Sequence, residues 1–143
     1  MRFLFGLAIA LLLAQSAQAL VTPTCTTLLS SATINATANG TIYSVPTLAK
    51  GMKFIASIAP VSGTTPTLDV KLQQCETASG TCSDLPSASF TQCTTSTCYG
   101  GDNIEHIDLN FDSVHVLPFV RAVVTLGGTS PVYSGSIRMC VIK

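Results

Sequence analysis

Hydrophobic and polar positions alternate with a period of two along much of this chain, the pattern of strands whose successive side chains fall on opposite faces. Residues 67–75 show it most cleanly, with Leu68, Val70 and Leu72 on one face and Asp69, Lys71 and Gln73 on the other. Residues 51–61 set Met52, Phe54, Ala56 and Ile58 against Lys53, Ile55 and Ser57. Residues 103–111 set Ile107, Leu109 and Phe111 against His106, Asp108 and Asn110. The stretch 118–142 holds two β-branched runs: Val120, Ala122, Val124 and Leu126 share a face of the first, and Tyr133, Ile137, Met139 and Val141 share a face of the second. Between them stands Gly127-Gly128-Thr129-Ser130-Pro131. Glycine takes the positive φ of a tight reversal and Pro131 has no N–H for a central ladder, so these residues predict a terminal hairpin.

The rest of the chain supplies shorter elements. Residues 25–37 read as a strand, Asn39-Gly40 as a two-residue turn and 41–45 as its return strand. Residues 60–66, bounded by Pro60 and Pro66, read as a loop; Ser83-Asp84-Leu85-Pro86 leads into a short strand at 88–93, and 94–103 is a loop rich in Thr, Ser and Gly. No segment beyond residue 19 sustains an apolar period of 3.6. Eight or nine short strands with turns between them predict an all-β protein, an antiparallel β-sandwich of jelly-roll type.

The N-terminus changes the compartment. Arg2, the apolar run 3–14 and Ala17-Gln18-Ala19 compose a secretory signal peptide over residues 1–19, and the run is shorter than the roughly 20 residues a membrane span needs. Residues 20–143 then form a single domain, secreted, or periplasmic in a bacterium, with no membrane attachment after cleavage. Removing Arg2 leaves six Lys and Arg against seven Asp and Glu, thinly spread, which excludes an electrostatic footprint for nucleic acid.

All six cysteines lie beyond the signal, an even set in an exported chain, and so predict disulfides. Six cysteines allow 15 pairings, and sequence does not select one. The preferred set joins Cys75 to Cys82, Cys93 to Cys98, and Cys25 to Cys140 across the first and last strands; the rival set crosses Cys75 or Cys82 with Cys93 or Cys98.

Candidate chemistry is sparse. His106, Asp108, Asp112 and His115, with Asp102 and Glu105 nearby, are the one cluster that suggests a metal-dependent hydrolase, although His-x-Asp on a strand more often decorates a solvent face. No nucleophile elbow, phosphate loop or His-Glu-x-x-His motif is present, so the expectation is a non-enzymatic protein without cofactor. A binding role would use the loop 94–102, where Tyr99 is the aromatic, and the turn carrying Thr129 and Ser130; its ligand would be a glycan or a cell-surface protein. Asn35-Ala36-Thr37 and Asn39-Gly40-Thr41 fit the acceptor pattern for N-glycosylation in a eukaryotic secretory pathway, at Asn35 and Asn39.

Three stretches, TPTLDVKLQQC, SDLPSASFTQ and PFVRAVVTLGGTSPVYSGSI, resemble a pattern in small β-sandwich structural proteins of tailed bacteriophages, the capsid-decorating or head-associated type. The similar part runs over 67–137 with a gap. The resemblance implies a structural, surface-decorating subunit with no catalytic residues to carry over, and the polar Thr and Ser faces and near-zero charge suit one that packs beside copies of itself. The signal peptide and the cysteines are additions to that pattern.

Overall fold

The computed structural model describes residues 23–98, 104–112 and 115–143; the signal segment 1–19 and Tyr99 lie outside the described residues. The described residues contain no helix. Seven strands follow in order: β1 (Thr24–Ile34), β2 (Ala38–Asn39), β3 (Tyr43–Ser44), β4 (Gly51–Cys75), β5 (Cys82–Ser89), β6 (Glu105–Asn110) and β7 (Phe119–Ile142). They join in one antiparallel sheet.

The two longest strands, β4 and β7, pair with each other from Gly51↔Ile142 to Cys75↔Phe119. Every other strand attaches to this ribbon. β1 lies on the second half of β7, from Thr24↔Val141 to Ile34↔Tyr133, and β6 on the first half of β4, from Gly51↔Asn110 to Ala56↔Glu105. On the other half of the ribbon, β2 and β3 pair with β7 through Ala38↔Val124 and Tyr43↔Val120, while β5 pairs with β4 from Lys71↔Ser89 to Cys75↔Cys82.

This topology corrects the expected terminal hairpin. A two-residue reversal of type I′ needs positive φ at two successive central residues, and of the glycine pair Gly128 alone has it, at 90°. Each run of β7 instead finds a matching run in β4, so its glycines serve a bend that both strands make together. The loop expected at 60–66 is likewise part of β4, at the place where pairing with β7 slips between Pro60 and Thr67. The return strand expected at 41–45 does not pair with β1: Gly40 N–H donates to the Ala122 carbonyl at 2.7 Å and Thr41 N–H to that of Leu28 at 3.0 Å, so the chain crosses between β7 and β1 instead of reversing. The short strand expected at 88–93 begins earlier, as β5, and beyond Ser89 only Cys93 forms a bridge, to Leu68.

The alternation read from the sequence sets the core. Met52, Phe54, Ala56 and Ile58 on β4 are buried, as are Leu68, Val70 and Leu72 further along it and Val120, Val124, Tyr133 and Ile137 on β7. Each large apolar side chain so buried contributes about 1.5–3 kcal/mol. The sheet curls until its far parts touch. Tyr133 Oη, from the second half of β7, donates to the Cys93 carbonyl at 3.2 Å, and Thr91 N–H and Oγ1 donate to the Glu105 carboxylate at 2.9–3.1 Å.

Three disulfides tie this arrangement, Cys25–Cys140, Cys75–Cys82 and Cys93–Cys98, the preferred pairing of the sequence. Cys25 and Cys140 are direct partners across β1 and β7, and Cys75 and Cys82 across β4 and β5. Their Cα atoms are 3.9 and 4.1 Å apart, closer than the roughly 4.5 Å of the tighter antiparallel pairs.

Candidate functional site

The bend of the β4–β7 ribbon, where its register slips between Pro60 and Thr67, is built from strained backbone. Four residues there hold φ in the left-handed region: Gly63 at 128°, Thr65 at 46°, Gly128 at 90° and Ser130 at 48°. For Thr65 this is costly, because a β-branched side chain crowds its own backbone at positive φ. Register explains the strain. Between the pairs Thr64↔Thr129 and Thr67↔Gly127, β4 uses two residues where β7 uses one, and the surplus is taken up by turning Thr65 outward while Pro66 is fully buried. A Cβ on Gly128 would collide with the Thr65 carbonyl and come within 2.9 Å of that of Thr64, so the position admits only glycine without rearrangement.

The surface of this tip is uncharged and exposed. Val61 is 61% exposed, and Ser62, Thr64, Thr65, Thr129 and Ser130 all face solvent. Of the loop singled out for binding in the sequence, the described residues 94–98 lie beside this bend, and its remainder, with Tyr99, is outside the described residues. Cys93 pairs with Leu68, immediately after the bend, and Cys98 Sγ lies 3.0 Å from the carbonyl oxygen of Ile58, just before it. The disulfide-closed loop therefore spans the gap between the two halves of β4. Inside it Thr94 Oγ1 accepts from the N–H groups of Ser96 and Thr97, both at 3.2 Å, and Thr97 Oγ1 donates to the Gln92 carbonyl at 3.2 Å. These bonds hold the loop from within as a serine and threonine knuckle.

The ionisable cluster lies elsewhere. His106 and Asp108 project from the same face of β6, both about half exposed, with His106 Nε2 3.9 Å from Asp108 Oδ2. Lys53 Nζ approaches the other carboxylate oxygen at 3.5 Å. His115 is exposed in the connection to β7, and among the described residues no three His, Cys, Asp or Glu side chains converge. Asp108, Asn110 and Asp112 line a groove of about 400 Å³ with Lys50 and Ile142, and Asn110 Oδ1 accepts the Asp112 N–H at 2.9 Å. The period-two spacing of those three residues is its signal in the sequence.

A polar chain across β4, β5 and β7 escaped sequence reading, because its bonded partners are 11 to 48 residues apart. Arg121 donates from Nε and Nη2 to Gln73 Oε1 at 3.0 and 2.7 Å, Gln73 Nε2 donates to Asp84 Oδ1 at 2.8 Å, and Lys71 Nζ donates to Asp84 Oδ2 at 2.7 Å. The Lys71 and Gln73 bonds hold the Asp84 carboxyl below its ordinary range. At the opposite extreme, burial pushes the Tyr133 hydroxyl upward, with the Asp69 carboxylate adding to the shift.

Fold and sites together define an all-β protein with a curled antiparallel sheet, three disulfides and a strained, uncharged tip. No helix among its described residues is long and apolar enough to cross a membrane. Comparison with protein-family models, curated proteins and solved structures finds no match to this chain.

Proposed function

We propose that the protein is an exported, non-enzymatic jelly-roll subunit that seats on a larger surface through its strained tip. The pairing order supports the jelly roll: β1, β7, β4 and β6 are neighbours over one half of the ribbon, and β2 with β3, β7, β4 and β5 over the other. Folding a long antiparallel ribbon across its middle places two such four-stranded layers face to face. Export is supported by the N-terminal signal pattern and by the disulfides, which persist in oxidising compartments. The resemblance of residues 67–137 to capsid-decorating phage proteins favours a structural subunit over a free effector.

One observation carries the tip as the contact surface. Two non-glycine residues, Thr65 and Ser130, are held at positive φ on an exposed, charge-free bend. Such strain costs about 1–3 kcal/mol per residue and collects at contact and clamp sites. An exposed apolar Val61 beside hydroxyl groups suits a dry centre with a polar rim. The test is fractionation of the native protein from its producing culture. It should pellet with particles or envelopes, and a Val61→Asp, Thr129→Asp variant with unchanged melting should stay in the supernatant. Wild-type protein found only as a free species would end this reading.

A further inference from the structure

We propose that the sheet edge formed by β1, β2 and β3 is covered by N-linked glycans on Asn35 and Asn39. The inference is independent of the tip. It starts from an imbalance among the edges of the sheet.

An open strand edge presents unpaired N–H and C=O groups, and proteins guard it with charges, prolines, bulges or a cover. β5 carries Asp84 and Pro86, and β6 carries Glu105, His106 and Asp108. The remaining edge has no such charges: residues 20–49 contain no Asp, Glu, Lys, Arg or His, and β1 alone extends for 11 residues. Bulges interrupt β1 after Thr27 and Ser31, and Thr41 caps the Leu28 carbonyl, which leaves the rest of an uncharged Thr, Ser and Leu edge to be guarded by something else.

Both acceptor triplets of the chain fall on this edge. Asn35 is exposed in the connection from β1 to β2, and Asn39 is exposed on β2 itself. Their positions leave the fold undisturbed by modification, because the backbone nearby is already anchored through Gly40 to Ala122 and Thr41 to Leu28. The residues of the triplets separate structural from recognition roles. Thr37 has a structural task, its Oγ1 accepting the Leu126 N–H at 3.2 Å, and Gly40 is required because a Cβ would lie 2.7 Å from the Leu28 carbonyl oxygen. Thr41 is different: it is exposed, and its backbone makes the bond to Leu28, so a hydroxyl there suits the acceptor pattern instead. Beside Asn35 a shallow groove of about 150 Å³ is floored by Leu29, Ile34, Ala36 and Ala38, an apolar seat for the face of a first sugar ring.

The donor is a lipid-diphosphate-linked oligosaccharide of the export pathway. The asparagine Nδ2 bonds to C1 of the reducing sugar, the bond from C1 to the phosphate oxygen breaks, the lipid diphosphate leaves with the electron pair, and the amide gives up one proton. No oxidant or reductant enters.

The experiment is intact mass spectrometry of the full chain secreted by its own cells, before and after peptide-N-glycosidase, which releases the glycan and leaves aspartate. The expected result is a mass excess that the enzyme removes, with Asn35→Gln and Asn39→Gln each abolishing its own share. Melting of the variants is measured in parallel, and since both side chains are exposed it should change little. A secreted chain whose untreated mass is that of the disulfide-bonded polypeptide overturns the proposal, as does an enzyme-sensitive excess that survives in the double variant. An unmodified chain that sediments as a dimer also overturns it and gives the edge to a second copy.

Discussion

Tyr133 Oη donates a hydrogen bond to the carbonyl of Cys93, 40 residues earlier in the chain, and so fastens the second half of β7 to the segment that leaves β5. The Cys93 carbonyl also accepts from Leu68 N–H at 2.8 Å, so removing the tyrosine hydroxyl leaves no unsatisfied acceptor. Tyr133→Phe should therefore cost only about 0.5–1.5 kcal/mol in denaturant titration, the net worth of one bond. The pH dependence has a definite sign. Burial raises the tyrosine pKa above its value in the unfolded chain, so this stabilisation is present below about pH 10 and is lost as pH rises through the higher folded value. The stability gap between wild type and Tyr133→Phe should shrink across that window, and a constant gap would contradict the assignment.

The disulfides should be unequal in effect. Cys25 and Cys140 are 115 residues apart, whereas Cys75–Cys82 and Cys93–Cys98 span 7 and 5. In the chain-entropy account, closing the long loop stabilises by about 4–5 kcal/mol against about 2–3 for the short ones. Replacing Cys25 and Cys140 together by serine should lower the urea midpoint more than replacing either other pair. Equal losses would mean that the unfolded chain is already compact near its ends.

At the bend, two substitutions should act in opposite directions. Gly128→Ala forces a side chain against the Thr65 carbonyl and into positive φ, and should destabilise by more than about 1 kcal/mol. Thr65→Gly removes strain of about 1–3 kcal/mol at the expense of about 0.5–1 kcal/mol of chain entropy, and should leave thermal stability equal or raised. If the strain serves contact, Thr65→Gly weakens surface association while the melting temperature holds. Thermal melts and the fractionation assay together separate the two effects.

On the outer face, Lys71 and Gln73 keep the Asp84 carboxyl ionised below its ordinary range. A depressed carboxyl pKa contributes stability above about pH 3.9 that is lost as pH falls through the lower folded value. Lys71→Ala should move the Asp84 titration, followed by carbon-detected NMR, back toward the ordinary midpoint. An unmoved titration would show that the bond at 2.7 Å is not populated in solution.

Local alternation was legible because it is a property of neighbours. The faces of 51–61 and 67–75 were read correctly, and Met52, Phe54, Leu68 and Leu72 are all buried. Two of the disulfide pairings were legible in preference because spacings of 7 and 5 close short loops, and Cys25–Cys140 because it joins the first and last strands. What escaped was partnership between distant runs. Gly127-Gly128 reads as a reversal to any local rule, and only the matching run in β4, which bends at Gly63 and Thr65, turns it into a shared corner. The same limit hid the polar chain from Arg121 to Lys71, whose members become neighbours only once β4, β5 and β7 are laid side by side.

The most direct test of a disulfide-locked, exported fold is a non-reducing digest of the mature protein with trypsin and an Asp-specific protease together. Cleavage before Asp84 separates the segment bearing Cys75 and Cys82 from the one bearing Cys93 and Cys98. The account predicts that these two peptides run apart, each with an internal disulfide, and that the peptide holding Cys25, beginning at Leu20, is joined to the one holding Cys140. Peptides bridged across Asp84, or free thiols, would contradict it.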